Sequence, residues 1–341
     1  MVIPKPGKPD YSVPKAYQTI SVLPTLSKTI EHVALARMTV FAPNCLSPLY
    51  FTCRKGYSAL DAVHLILEKV HKASNDKLYS SALFLYIQGA FDKVLHQQLP
   101  EIMTTNNFPP YLVDWVQAYL SDRSVRIADG AVLEPSSTPI QVGILQGSPL
   151  SPFLFNVYSS PLCHNHQRLG VDLMVSCIDD YCLLAISASW HRNAITLTAP
   201  GNQLQLEANQ GGMNFVLSKT ELFHFPCGKN LPTTDLPEVQ CREHHIPNNL
   251  EQRWVGVFFD RTLRPTLHIE NSAAKARTTL YKLALLLKKL KPEMTSQLMK
   301  ATVIPALTFG LEIFTRNHIN NREVVPINMC RKAAAKIITG K

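Results

Sequence analysis

Two adjacent carboxylates, Asp179 and Asp180, interrupt an otherwise apolar stretch, VDLMVSCIDDYCLLAIS, over residues 171–187. The flanking residues read as two strands around a tight centre. Ionised carboxylates inside an apolar hairpin are costly unless something compensates their charge. A divalent cation is the simplest compensation. Hard Asp oxygens suit magnesium, which keeps waters and binds substrate phosphates. Asp is also common in ordinary turns, and the pair taken alone favours that plainer reading.

A second segment with chemical content is QVGILQGSPLSP, residues 141–152. Gly147 allows the backbone to come close to a ligand, and Ser148-Pro149 then starts a helix whose free N–H groups face the same place. An ordinary glycine turn before a helix has the same appearance. Two Cys/His groups, Cys163-His164-His166 and Cys241-His244-His245, invite a zinc reading, but neither has finger spacing. The eight cysteines form no CxxC pair and no disulfide framework, which fits a reducing interior.

The elements that must position these residues follow from periodicity. Leu26, Ile30, Val33, Ala34 and Met38 recur at helical spacing within residues 25–42. Ser58 with Asp61 forms a capping-box pattern before Leu60, Val63, Leu67 and Val70. Residues 82–87, ALFLYI, read as a buried strand, and after Gly89 the string AFDKVLHQQLPEIM reads as a helix carrying Asp92. Pro110 opens a helix with Leu112, Trp115, Val116, Tyr119 and Leu120 on one side. Strands around a turn at Asp129-Gly130 are expected within residues 124–142. A helix from Ser148-Pro149 presents Leu150, Leu154 and Val157, and residues 203–212 lead out of a further helix. Asn230 to Gln252 reads as a polar linker. Residues 270–291 form a basic helix, with Lys275, Arg277, Lys282, Lys288, Lys289 and Lys291 set among Ala273, Ala276, Leu280, Leu283 and Leu287.

Composition sets the frame. The chain has 341 residues, 46% of them hydrophobic and 17% charged, enough for a large core or two to three linked subdomains. The formal charge of +9 suits a polyanionic partner as well as a merely basic surface. The apolar stretch from Val303 to Phe314 contains Pro305, Gly310 and Glu312 and is too short to span a bilayer. The N-terminal residues lack the apolar region of a secretory signal.

Taken together, QGSPLSP and the strand–Asp-Asp–strand hairpin resemble the reverse transcriptases of non-LTR, LINE-type retrotransposons. The resemblance runs nearly end to end. Residues 2–33 resemble the family's entry into the fingers, YIQGAFDKV its first palm motif, and NFPPYLVDWVQAYLSDR the helix after it. LSKTELFHF resembles the lysine-bearing palm motif, RWVGVFFDRTL the primer-grip hairpin, and the residues after 263 the helical thumb. Intron-type reverse transcriptases or maturases share the palm motifs, but the grip and thumb strings look more LINE-like.

The resemblance implies an α+β, right-hand polymerase fold with an antiparallel palm sheet and a helical thumb. Fingers would span 1–80, and the palm 81–228 with an interleaved fingers segment 105–145. A linker 229–252, a primer-grip hairpin 253–262 and a thumb with C-terminal segment 263–341 would follow. It implies Asp179 as a metal ligand with Asp180 beside it, and Lys219 as general acid for the leaving pyrophosphate. Phe91 would be the sugar-sensing gate. Gln146, Gly147 and Ser148 would border template and nucleotide, Arg54 would touch the triphosphate, and Trp254 and Gly256 would lie in the primer grip. Magnesium, or manganese, an RNA template, a DNA primer and deoxynucleoside triphosphates are the implied partners, in the nucleus or cytoplasm by family, with mitochondria an open alternative. The match starts inside the fingers and stops just past the thumb, leaving no length for an endonuclease or a ribonuclease H domain.

One departure bears directly on chemistry. The first palm motif of the family has an Asp where this chain has Tyr86. That Asp and the hairpin Asp hold both metals of the in-line transfer. A phenol, with a pKa near about 10, is a poor magnesium ligand, and its ring crowds the position. Asp92, six residues on, is no obvious substitute. Thr52, Lys55 and Tyr57 also replace a Gly, a Pro and an Arg of the fingers motif, Gln18 and Thr19 replace Arg and Pro, and Leu145 replaces Pro. The expectation is a reverse-transcriptase copy with impaired catalysis and weakened metal binding. The alternative is a nucleic-acid-binding protein without catalysis.

Overall fold

The computed structural model describes residues 1–5, 7–129, 132–164, 170–287, 290–314 and 321–339. The expected turn at Asp129-Gly130, His166 of the first Cys/His group, and Lys288 and Lys289 of the basic helix fall at least partly outside these residues.

The chain begins with a two-stranded hairpin, β1 (Val2–Pro4) and β2 (Tyr17–Thr19). Helix α1 (Thr25–Met38) follows, then α2 (Ala59–Asn75), which opens on the expected Ser58/Asp61 capping box. Strand β3 (Tyr79–Tyr86) leads to a single 3-10 turn at Phe91–Lys93, and only then to helix α3 (Gln98–Thr105). The expected helix immediately after Gly89 is therefore displaced. Asp92 stands on the 3-10 turn, where its N–H donates to the Gly89 carbonyl at 2.9 Å. Helix α4 (Pro110–Leu120) buries Leu112, Val116 and Leu120, while Trp115 and Tyr119 stack on each other at 5.3 Å.

Short two-residue ladders, Ser124–Val125 with Thr138–Pro139 and Ala128–Asp129 with Val132–Leu133, fill the stretch before α5 (Ser151–His164). Helix α5 starts three residues later than Ser148. The Ser148 hydroxyl accepts the Leu150 N–H at 3.1 Å and so closes a turn ahead of the helix. Strands β4 (Leu173–Cys177) and β5 (Asp180–Ser187) form the carboxylate hairpin. They are followed by α6 (Trp190–Gln210) and β6 (Glu221–His224).

The central sheet has the order β6-β3-β5-β4, with every pairing antiparallel. The run ALFLYI is apolar throughout because both faces of the sheet are covered. Leu83 and Leu85 pack with Phe155 of α5 and Leu197 of α6, while Ala82 and Phe84 pack with Val63 and Leu67 of α2. Helices on one face alone do not describe this sheet.

Two further expectations are revised. In α1, Leu26, Ile30 and Val33 are exposed, and the buried side is formed by Glu31, Ala34 and Met38. The helix turns its acidic residue inward because the Glu31 carboxylate accepts the Ser148 hydroxyl. The stretch expected as a linker contains a hairpin, β7 (Val239–Cys241) and β8 (His244–Ile246), whose Val239, Cys241 and Ile246 join the main core. This hairpin buries Cys241 and leaves His244 and His245 exposed, so the three do not converge.

A second hairpin, β9 (Glu251–Trp254) and β10 (Val257–Asp260), turns through Val255 and Gly256, both with positive φ. Helices α7 (Thr266–Leu287), α8 (Pro292–Thr308) and α9 (Asn321–Thr339) then pack together around Ala273, Ala276, Met299, Val303 and Cys330. Among the described residues no helix is long and apolar enough to cross a membrane.

Candidate active site

Ile178, with φ +59°, and Asp179 make the turn between β4 and β5, and Asp180 is the first residue of β5. Asp180 pairs with Cys177 on one side and with Tyr86 on the other. The Ile87 N–H donates to the Asp179 carbonyl at 2.9 Å, which fixes the end of β3 beside the turn. From there the Tyr86 phenol and the Asp179 carboxyl line the same cavity, close enough for each to shift the other's proton affinity.

The electrostatics follow from this enclosure. Burial, then the neighbouring Asp179, pushes the Tyr86 phenol up to about 12. Burial also raises the Asp179 carboxyl, offset in part by its own backbone amide, by the nearby Tyr86 phenol and by the Lys219 charge. The Asp180 carboxyl rises to about 6, through burial and then repulsion from Asp179, with Arg253 and Lys219 opposing the rise. Lys219 lies on a 3-10 turn, Leu217–Lys219, anchored where the Val216 N–H donates to the Tyr86 carbonyl at 2.9 Å. Its ammonium stands 4.2 Å from the centre of the Tyr86 ring, a cation–π contact.

A cavity of about 700 Å³ opens onto this group, lined among others by Tyr86, Phe91, Asp92, Gln146 and Asp179. The structure thus brings together Tyr86, Phe91, Gln146 and Asp179, four of the residues singled out in the sequence. Phe91 is set edge-on against Phe155 at 5.8 Å. The N-terminal hairpin also lines the cavity, with Lys5, Tyr17, Gln18 and Thr19. Sequence reasoning assigned no role to Lys5 or Tyr17. Their place depends on the β1–β2 pairing, which no local pattern announces.

Other candidates are engaged elsewhere. Gly147 has φ +127°, and a Cβ there would sit 2.5 Å from the Ser21 carbonyl oxygen, so its lack of a side chain serves a neighbouring backbone. The Ser21 N–H in turn donates to the Gln146 carbonyl at 2.7 Å. Ser148 is buried, donates to Glu31 and accepts the Tyr119 hydroxyl at 3.1 Å. Arg54 donates to the Ser47 and Tyr50 carbonyls at 3.1 and 3.4 Å and lies 4.3 Å over the Tyr57 ring. Arg54 is not among the cavity-lining residues. Trp254 is buried against Phe84, with ring centres 5.7 Å apart, and Gly256 faces the Phe309 ring.

The donor set does not fit a two-metal centre. Among the described residues no three His, Cys, Asp or Glu side chains come together as a metal set, although Asp92 shares the cavity with Asp179. Opposite the Asp pair stands a phenol that keeps its proton at neutral pH, and Lys219 covers its ring.

An antiparallel sheet carrying a carboxylate hairpin beside a cavity, joined to a helical C-terminal unit, has the layout of the right-hand polymerase fold. Residues 3–259 match the family model described as reverse transcriptase (RNA-dependent DNA polymerase), and the chain belongs to that family. It is 25% identical over 348 residues to a probable RNA-directed DNA polymerase from the transposon X-element of Drosophila melanogaster, covering 99% of this chain and 37% of the relative. It is 26% identical to the RNA-directed DNA polymerase from the mobile element jockey of Drosophila melanogaster, over 97% of this chain and 37% of that protein. The chain therefore spans little more than a third of the length of these relatives. Among solved structures, Candida tropicalis telomerase in complex with a TWJ fragment of telomeric RNA aligns at 11% identity and a TM-score of 0.49, covering 93% of this chain and 48% of that one.

Proposed function

We propose that this chain is the polymerase core of a non-LTR-type reverse transcriptase that holds an RNA template and a DNA primer but extends the primer negligibly. One observation carries the reading. Tyr86, at the strand position opposite Asp180, places a protonated phenol beside Asp179 and its ring under the Lys219 ammonium. In-line nucleotidyl transfer relies on carboxylates from both strands to hold two cations. Here one strand supplies a protonated phenol. Loss of charge stabilisation in such sites is worth several kcal/mol, roughly a factor of 10² to 10³ or more in rate.

The ammonium of Lys219, the proposed general acid, stands over the Tyr86 ring. Arg54 is held by carbonyls, so contact with a triphosphate would require those bonds to break. The cavity volume remains adequate for a nucleotide, with Phe91 and Gln146 on its wall as proposed gate and template border. A non-catalytic nucleic-acid-binding role is the form this reading takes if extension is nil, and the net charge of +9 supports it.

The test is primer extension on a homopolymer RNA template with magnesium or manganese, alongside binding of the same primer–template. Binding without measurable extension is expected. Robust synthesis by the unaltered chain contradicts the reading.

A further inference from the structure

Glu31 of helix α1 is only 3% exposed, whereas Leu26, Ile30 and Val33 are 72%, 50% and 54% exposed. Spaced at i, i+4 and i+7, these three form one aliphatic stripe. A free amphipathic helix would bury such a stripe and leave the carboxylate in water. Here the Ser148 hydroxyl, donating to Glu31, fixes the opposite orientation. Local pattern and packing disagree at this helix, and such a disagreement marks a surface with a function.

The stripe adjoins a cavity at the start of α1. Val22, four residues before Leu26, is 71% exposed and lines with Leu23 and Pro24 a cavity of about 820 Å³. Exposed Val125, Ile127 and Leu133 of the short ladders line it too. The cations stand at the two ends of this apolar track. Arg37 follows Val33 by four residues and closes the stripe about 17 Å along the axis from Leu26. Arg123 and Arg126 line the cavity, and no acidic side chain does. Among the described residues neither Arg37 nor Arg126 forms an ion pair.

This arrangement selects the occupant. Two copies of the chain with parallel stripes would set Arg37 against Arg37. Antiparallel stripes would bring Arg37 to the end where the other copy holds Arg123 and Arg126. A nucleic-acid strand is held by rows of cations and by rings that stack on bases, whereas the stripe between the arginines is aliphatic. Apart from Arg37, α1 exposes only Lys28 and His32 as basic residues, short of the charged face of a lipid-surface helix. We propose that the α1 stripe and the adjoining cavity dock an amphipathic helix of a partner protein, with aliphatic anchors along one side and acidic residues at both ends. The acidic ends meet Arg37 at one end and Arg123 and Arg126 at the other, and one anchor enters the cavity.

The experiment is fluorescence anisotropy of the full chain with a labelled synthetic helix of about five turns, carrying Leu at i, i+3, i+4 and i+7 and Glu at both ends. A second peptide has Lys in place of Glu. The Glu peptide should bind and weaken with salt, and the Lys peptide should not bind. Leu26→Gln combined with Ile30→Gln should lower affinity about tenfold or more, and Arg37→Gln or Arg126→Gln about threefold at low salt only. The double variant should bind primer–template as the unaltered chain does. A benzophenone at the central Leu of the Glu peptide gives a readout on the unaltered chain that no folding defect can mimic. Its cross-links should fall within residues 22–37 or 123–133, and cross-links confined to other segments would overturn the proposal. No binding of the Glu peptide at low salt, or equal binding of the Lys peptide, would also refute it. Three results would assign the face to another occupant and so refute the helix: a dimer that the double variant dissolves, flotation with phosphatidylserine vesicles that it abolishes, or primer–template binding that it weakens.

Discussion

Tyr86 and Asp179 line the same cavity, because the Ile87 N–H donates to the Asp179 carbonyl at 2.9 Å and so holds the end of β3 at the hairpin turn. The phenol favours the ionised form of a carboxyl that burial otherwise pushes up. It also places a protonated group where a cation in this cleft would need a ligand. Tyr86→Phe removes the hydroxyl while keeping the ring, so the Asp179 carboxyl should titrate at a higher pH than in the unaltered chain. Carboxyl carbon NMR of the two proteins tests this. An unchanged or lower Asp179 titration point would show that the hydroxyl does not bear on the site.

Asp180 offers a test with a defined sign. Its folded-state pKa, about 6, lies above the ordinary Asp value of 3.8. The native state therefore binds more protons than the unfolded chain between these values, and stability falls as pH rises through them. Asp180→Asn should stabilise the protein at pH 7.5 by about 1–3 kcal/mol and change it little at pH 4. Urea unfolding at the two pH values measures the difference. A variant destabilised at pH 7.5 would mean that Asp180 is compensated in the native state.

His224 carries the opposite sign. Its Nε2–H donates to the Pro237 carbonyl at 3.0 Å, so its Nδ1 accepts the Ser81 hydroxyl at 2.6 Å, and burial lowers its pKa to about 4. A depressed His contributes stability that is present above its unfolded value near 6.5 and is lost as pH falls toward 4. The unfolding free energy of the unaltered chain, relative to His224→Gln, should drop by about 3 kcal/mol between pH 7 and pH 4. A pH-independent difference would contradict a neutral buried imidazole.

Much of this arrangement is legible in the sequence, because the carboxylate hairpin, the capping box at Ser58 and the strand ending at Tyr86 are each set by local pattern. The juxtaposition of Tyr86 and Asp179 follows from the order of motifs. What escaped sequence reasoning depends on packing between distant segments. Leu26, Ile30 and Val33 have helical spacing, yet α1 buries Glu31 because Ser148, more than a hundred residues later, supplies a donor. The polar, His-rich stretch before β9 contains the β7–β8 hairpin, whose two short strands bury too few residues to show a period. Gly147 suggested ligand contact, but its neighbour is the backbone at Ser21.

Gly147 therefore tests the fold around the cleft. A methyl group there meets the Ser21 carbonyl at 2.5 Å, on a backbone with φ +127°. Gly147→Ala should cost about 2 kcal/mol or more and loosen the N-terminal hairpin. Chemical denaturation and the rate of proteolysis near residues 1–20 check it. Wild-type stability with an unchanged cleavage rate would mean that the close approach is absent.

The central claim is that Tyr86 is the lesion in an otherwise recognisable polymerase cleft, and single-nucleotide addition by Tyr86→Asp measures it most directly. With a primer–template that both proteins bind equally, the account predicts that the unaltered chain adds no measurable nucleotide, whereas Tyr86→Asp adds one in a magnesium-dependent manner. Efficient addition by the unaltered chain, or equal inactivity of both proteins with binding intact, would contradict it.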